Sequence, residues 1–235
     1  MRLNSTNHFY SVSRKLRTLR NILFVLFVSR FSKDITKLHF ETWSTLTHPN
    51  YNNFSRVIAL LEEKPVNILE TGTSAWGTDS TRLWDLYVRR FGGHFISVDL
   101  RREASRRLMF QVGKDSRLET SDSVKFIENY RGPQFDFVYL DSWDVDPANP
   151  LAAALHGLAE FEALSGHLNS GCLVLIDDTP TELPNEDYVK FPALEKFRVE
   201  YQQTPGKGAL ILSNLNKYPN FKILSHDYSL LLQFN

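Results

Sequence analysis

The chain has 235 residues, 42% of them hydrophobic and 23% charged. That is enough for one large α/β domain with an ample core, cramped for two, and too apolar for global disorder. Its 27 Lys and Arg balance its 27 Asp and Glu, which removes the overall positive field of a non-specific nucleic-acid binder, so no nucleic-acid partner is expected.

The balance is uneven along the chain. Residues 1–40 hold eight basic side chains (Arg2, Arg14, Lys15, Arg17, Arg20, Arg30, Lys33, Lys37) against Asp34, a net +7, so the remainder carries −7. This start leads into Ile22-Leu23-Phe24-Val25-Leu26-Phe27-Val28, far short of the roughly 20 apolar residues that span a bilayer. The long polar lead and the lack of a convincing cleavage site argue against a signal peptide. Two readings remain: an amphipathic helix capping the domain, or a basic helix lying on a membrane surface. The cap is preferred, with residues 1–49 a helical extension and residues 50–235 the main domain. The only cysteine, Cys172, excludes an intramolecular disulfide and a cysteine-rich zinc site, and fits a reducing, cytoplasmic compartment.

From residue 50 onward, short β-rich runs alternate with helical patterns, the signature of βαβ units around a mostly parallel sheet. Residues 53–63 read as a helix with Phe54, Val57, Ile58 and Leu61 on one face. Pro65 ends it, and residues 66–70 form the first strand. A helix over 78–91 stops at Gly92-Gly93. Residues 94–99 make the second strand, a third lies near Leu118, and 135–141 is the fourth. Residues 150–168 read as a long helix, and 172–177 as a fifth strand whose continuous apolar run suits burial on both faces. Two more runs, 209–212 and 229–234, read as strands. Their connection is too short for a comfortable crossover helix, so they are expected to be antiparallel.

Glu70-Thr71-Gly72-Thr73-Ser74 lies where the first strand meets its loop. Gly72 admits close backbone approach, and the helix that follows offers free N–H groups to a ligand. The dinucleotide fingerprint G-x-G-x-x-G is absent, because the next glycine is Gly77. The same loop also reads as a plain strand-to-helix turn. Asp99 ends the second strand, where a carboxylate accepts hydrogen bonds from ribose hydroxyls or caps a helix.

With Ser121-Asp122-Ser123 after the third strand and the antiparallel pair at the end, residues 50–235 resemble the class I S-adenosylmethionine-dependent methyltransferases. The resemblance implies a Rossmann-like, seven-stranded, mostly parallel sheet with an antiparallel C-terminal strand pair and helices on both faces. It also implies that Glu70, Gly72, Thr73 and Ser74 face the methionine part of the cofactor, that Asp99 holds the ribose, and that Asp122 and Ser123 flank the adenine. Asp141 borders the same cofactor.

Asp141 ends the fourth strand, and Asp177 and Asp178 end the fifth. On neighbouring strands these ends lie about 5 Å apart, at the sheet edge where open α/β folds bind ligands. Three carboxylates without basic partners repel one another, and a hard divalent cation such as Mg²⁺ would relieve that repulsion. Each aspartate alone also reads as a cap or turn residue. The cluster resembles the metal-dependent O-methyltransferases of the catechol and macrocin types. Leu140-Asp141-Ser142-Trp143-Asp144 is similar to the catechol pattern, but that group has a catalytic lysine where this chain has Asp144. Gly206-Lys207-Gly208 looks more like the macrocin group, which acts on sugars.

The expected reaction is metal-assisted methyl transfer to a small-molecule hydroxyl, with Asp141 or Asp144 accepting the proton. His156, one turn before Glu160, is a further candidate for orienting substrate or taking a proton, and equally a packing residue. His226 reads as a site residue or a turn residue. The rival readings are a metal-independent methyltransferase and a non-catalytic nucleotide-fold module docking through its basic N-terminal helix. A homo-oligomer is open.

Overall fold

The computed structural model describes residues 5–73 and 78–235. Three helices come first: α1 (Ser5–Val28), α2 (Ile35–Trp43) and α3 (Asn50–Leu60). Then β1 (Val66–Thr71), α4 (Ser80–Phe91), β2 (Gly93–Asp99), α5 (Arg102–Leu108), β3 (Ser116–Thr120), α6 (Ser123–Glu128), β4 (Phe135–Leu140), α7 (Pro150–Ala163) and β5 (Leu168–Ile176) alternate. The last segment is α8 (Asn185–Lys190), α9 (Pro192–Tyr201), α10 (Ala209–Ser213), β6 (Phe221–His226) and β7 (Leu230–Phe234).

The seven strands form one sheet in the order β3-β2-β1-β4-β5-β7-β6. The first five pair in parallel, and β7 runs antiparallel to both β5 and β6. The order reverses between β1 and β4, and the carboxyl ends of strands at such a switch point are where open sheets take ligands.

Side-chain alternation splits the core between two faces. Ile68, Phe137, Tyr139 and Leu175 pack with Phe40, Phe54, Trp84 and Tyr87 from the helices of one face. Leu69, Val138, Leu140 and Val174 pack with Ile127, Phe161 and Ile211 from the other. The expected helices on both faces are present.

Two sequence expectations are corrected. Residues 209–212 are not a strand: Ala209–Ser213 is helical, and Ala209 and Leu210 pack against Ala154 of α7 and Phe197 of α9. A four-residue apolar run has no period that distinguishes strand from helix, and neighbouring helices decided it. The sixth strand is Phe221–His226, an edge strand in which the consecutive Lys222 and Ile223 are both exposed and which therefore lacks a buried pattern. The helix expected over 150–168 also ends early, at Ala163, and Leu168 already belongs to β5.

Candidate active site

The turn after β1 is built by buried hydroxyls. Glu70 is fully buried, and its two oxygens accept from Ser80 (2.6 Å), Thr81 (2.6 Å) and Ser97 (2.6 Å). Because the Ser97 hydroxyl is spent on Glu70, Thr73 donates to Ser97, across 2.8 Å. Burial pushes the Glu70 carboxyl up to about 7, against the pull of its three hydroxyl donors and with Asp99 adding to the rise. Glu70 therefore braces the loop and the start of α4, whereas the sequence placed it against the cofactor. Gly72 has φ +90°, and a Cβ there would sit 2.3 Å from the Asp141 carbonyl oxygen. No L side chain fits, so the ends of β1 and β4 approach closely only because this residue is glycine. Ser74 lies outside the described residues.

Asp99 is buried at the end of β2, and both its oxygens are engaged by Arg101. Oδ1 accepts from the Arg101 backbone N–H (2.6 Å) and Nε (3.0 Å), and Oδ2 from Nη2 (2.8 Å). The Arg101 guanidinium is half exposed and covers the Asp99 carboxylate. Asp122 caps α6 by accepting from the Lys125 N–H. Ser123 meets His156 Nε2 at 3.2 Å; the same nitrogen lies 2.9 Å from Ser142 Oγ and 3.4 Å from Glu160 Oε1. Hydrogen bonding to Glu160 raises His156 above its ordinary value, against partial burial. His156 thus ties the ends of β3 and β4 together beside the exposed Trp143 ring, 5.1 Å away.

The three aspartates do converge. One oxygen from each of Asp141, Asp177 and Asp178 lies within 4.8 Å of the others. Consecutive strand residues face opposite ways, and the left-handed backbone of Asp178 (φ +42°) turns the chain where the two carboxylates reach the same edge. The expectation that they lack basic partners is wrong. Lys207, buried, places Nζ 2.5 Å from Asp141 Oδ1 and 3.0 Å from Asp178 Oδ2. Burial opposes its charge, yet attraction from Asp141, Asp178 and Asp177 holds Lys207 above the ordinary lysine range. Asp141 is pushed up by burial and by its two acidic neighbours, with Lys207 opposing. Asp178 is held down by Lys207 and the Tyr228 hydroxyl, although burial alone would raise it.

The remaining oxygens are also satisfied. Asp177 accepts from Asn50 (2.8 Å), Tyr139 (2.8 Å) and Ser229 (2.9 Å), and Asp178 from Tyr228 (2.5 Å). Asn50 belongs to α3, and His39 of α2 lies 2.6 Å from the Thr78 carbonyl behind the glycine loop. Burial lowers His39 to about 4, so it is a neutral ring donating Nε2–H. Asp144 is exposed and stands apart from this network. His226 bonds the Thr179 carbonyl at 3.0 Å, a positioning contact behind Asp178.

Sequence reasoning missed Lys207, Arg101, Asn50, Tyr139, Tyr228 and Ser229. A signal for Lys207 existed in its two flanking glycines. A Cβ on Gly206 would lie 2.5 Å from the Asp178 carbonyl oxygen, and one on Gly208 2.8 Å from Thr179. The pair lets this loop close on the end of β5 and bury the ammonium. A separate hollow of about 770 Å³ lies at the opposite, amino edge of the sheet, lined by His94, Lys114, Arg117 and Lys125 among others. None of Glu70, Asp99, Asp141, Asp177, Asp178 and Lys207 lines it.

By sequence, no family model and no curated protein matches the chain. Solved structures do. An SAH-bound methyltransferase of Podospora anserina aligns over 100% of this chain and 98% of its own, with a TM-score of 0.50 at 14% identity. The O-methyltransferase TomG of Streptomyces achromogenes, in complex with SAM, aligns over 85% of each chain (TM-score 0.46, 14% identity). A SAM-dependent methyltransferase of Methanosarcina mazei aligns over 76% of this chain and 96% of its own (TM-score 0.47, 11% identity). The chain has the Rossmann-like fold of the S-adenosylmethionine-dependent methyltransferases.

Proposed function

We propose that this protein is an S-adenosylmethionine-dependent methyltransferase acting on a hydroxyl of a small molecule, sugar-like or another natural product. The observation that carries the reading is the position of Asp141. Its backbone packs against Gly72 of the cofactor-side loop, and its carboxylate meets Lys207 on the acceptor side. Asp99 is the ribose ligand in this reading, with Asp122 and Ser123 beside the adenine and Glu70 acting through the loop it braces. Bound cofactor supplies an electrophilic methyl carbon on a sulfonium.

Lys207, held protonated, donates a hydrogen bond to the acceptor oxygen and stabilises negative charge developing there. Asp141 takes the hydroxyl proton as the oxygen–methyl bond forms and the sulfur–methyl bond breaks, leaving a neutral thioether. Of the two expected bases, Asp141 is buried in contact with the lysine and takes this role in the proposal, whereas Asp144 is exposed. The N-terminal segment, through α2 and Asn50, covers the acceptor side and contributes to substrate choice.

A second reading has one observation in its favour, the three carboxylates within 4.8 Å. Their oxygens suit Mg²⁺, which would act as a Lewis acid toward the acceptor hydroxyl. Lys207 already supplies a positive charge there, so a cation has to displace its ammonium. Calorimetric titration of S-adenosylmethionine, with and without EDTA, tests both readings. Absence of cofactor binding by folded protein overturns the methyltransferase reading. Binding and turnover that survive EDTA favour Lys207 as the resident cation, and EDTA-sensitive turnover favours the metal.

A further inference from the structure

We infer that α1 docks this protein on an anionic lipid surface. The inner side of the helix is already fixed to the domain: Val25 is buried in the core, with Leu26 and Val28 packed against it. Where α1 ends, the Arg90 guanidinium donates to the carbonyls of Ser29 (2.6 Å) and Ser32 (2.5 Å). These contacts set which face points away.

That outward face is apolar. Leu16, Leu23 and Phe27 are 61–64% exposed, and Leu19, Phe24 and Phe31 are exposed beside them. Positions 16, 19, 23 and 27 follow the three- and four-residue spacing of one helical stripe. From Leu16 to Phe27 the stripe extends about 17 Å at 1.5 Å per residue, a continuous apolar ridge on the described half of the helix. No described helix is long and apolar enough to cross a membrane, so burial of this ridge in lipid means lying in the interfacial plane.

Charge selects the occupant. Arg20, Arg30, Lys33 and Lys37 are exposed on the same segment, and residues 1–40 carry +7 while the rest of the chain carries −7. An anionic surface attracts the ridge and repels the body, fixing one orientation. A second copy pairing through the same ridge would bring two +7 segments together.

The test is co-sedimentation of the full chain with phosphatidylcholine vesicles containing about 30% phosphatidylserine, against phosphatidylcholine alone. It is repeated in about 0.1 M and 0.5 M salt. The wild type is expected to bind the anionic vesicles, at least about tenfold more weakly in high salt or on the neutral lipid. Leu23→Glu/Phe27→Glu should lose at least about tenfold, with an unchanged circular dichroism spectrum and melt, since both side chains point to solvent. Arg20→Glu/Lys33→Glu should lose binding to anionic vesicles alone. Failure of the wild type to bind, or binding untouched by the glutamates, overturns the proposal. So does light scattering that shows a dimer dissociated by Leu23→Glu/Phe27→Glu, which makes the ridge an interface between copies.

Discussion

Lys207 Nζ lies 2.5 Å from Asp141 Oδ1, a buried ion pair joining residues 66 positions apart in the chain. The pair closes the α9–α10 connection onto the end of β4, so structure and chemistry depend on the same contact. Lys207→Met leaves the buried Asp141 and the partly buried Asp178 without a counter-charge and should cost about 3–5 kcal/mol. Urea titration measures the loss. Turnover of an accepted substrate should fall at least about 100-fold, while cofactor affinity of the folded fraction stays within about threefold. Equal losses in both would place Lys207 outside the reacting centre.

Asp99 and Arg101 make opposite predictions for cofactor affinity. Asp99→Asn removes a charge-assisted acceptor and should weaken S-adenosylmethionine binding by about 1–3 kcal/mol. Arg101→Ala removes the group that now occupies both oxygens. A half-exposed ion pair is worth about 0–1 kcal/mol, so affinity should rise by up to about fivefold. Calorimetry on both variants checks the pair, and weaker binding by Arg101→Ala would make the arginine a ligand contact instead.

Asp177 was expected to be crowded by like charges, so that its removal would relieve repulsion. The structure reverses the sign. Asp177→Ala strands the Asn50 amide donor, whereas the Ser229 hydroxyl keeps Asn50 Oδ1 at 2.7 Å and the Tyr139 hydroxyl keeps Asp141 Oδ2 at 3.3 Å. Stability should fall by about 1–3 kcal/mol, the cost of one unsatisfied buried group. Melts in EDTA measure it. If Mg²⁺ then raises the wild-type melting temperature and not that of the variant, the carboxylates bind the metal by linkage.

Glu70 gives stability a pH dependence of known sign. Its folded-state value of about 7 lies above the ordinary 4.5, so the folded protein retains a proton that the unfolded chain has released. The contribution is full below about pH 4.5 and is lost as pH rises to about 7, an effect of about 3 kcal/mol. Glu70→Gln should abolish this slope. Denaturation at pH 5 and pH 8 on both proteins decides it, and parallel profiles would show that the three hydroxyl donors keep Glu70 ionised throughout.

Truncation separates the two N-terminal elements. Deleting residues 1–48 removes Ile35, Leu38 and Phe40 from the core and should prevent folding, at about 2–5 kcal/mol for each large side chain. Deletion of residues 1–24 removes most of the exposed ridge, keeps Val25 and the Arg90 contacts, and should leave the cooperative melt nearly intact.

Four of the five parallel strands were readable because each is a short apolar run closed by a polar residue, whereas β3 is mostly polar and offered only Leu118. Asp99, Asp141 and Asp177 marked the carboxyl edge for the same reason. What could not be read was pairing across the chain. Lys207 belongs to a loop with no periodicity, and only its flanking glycines hinted that it is buried. Asp99 was legible as a cleft carboxylate, but the Arg101 guanidinium that covers it is an exposed side chain with no pattern of its own. Residues 209–212 and 221–226 exchanged roles, because packing of α10 against α7 and α9 settled the first. The second lies at an edge with one side open to water.

The position of β7 between β5 and β6 governs the order of assembly. Leu175 and Ile176 of β5 pair with Leu231 and Leu230, and β6 touches the sheet only through β7. Until residue 230 is available, the last parallel strand presents a bare apolar edge, the kind of surface through which partly folded chains associate. A competing peptide with the sequence of β7, added to refolding chains, is expected to occupy this slot and lower the yield of folded protein.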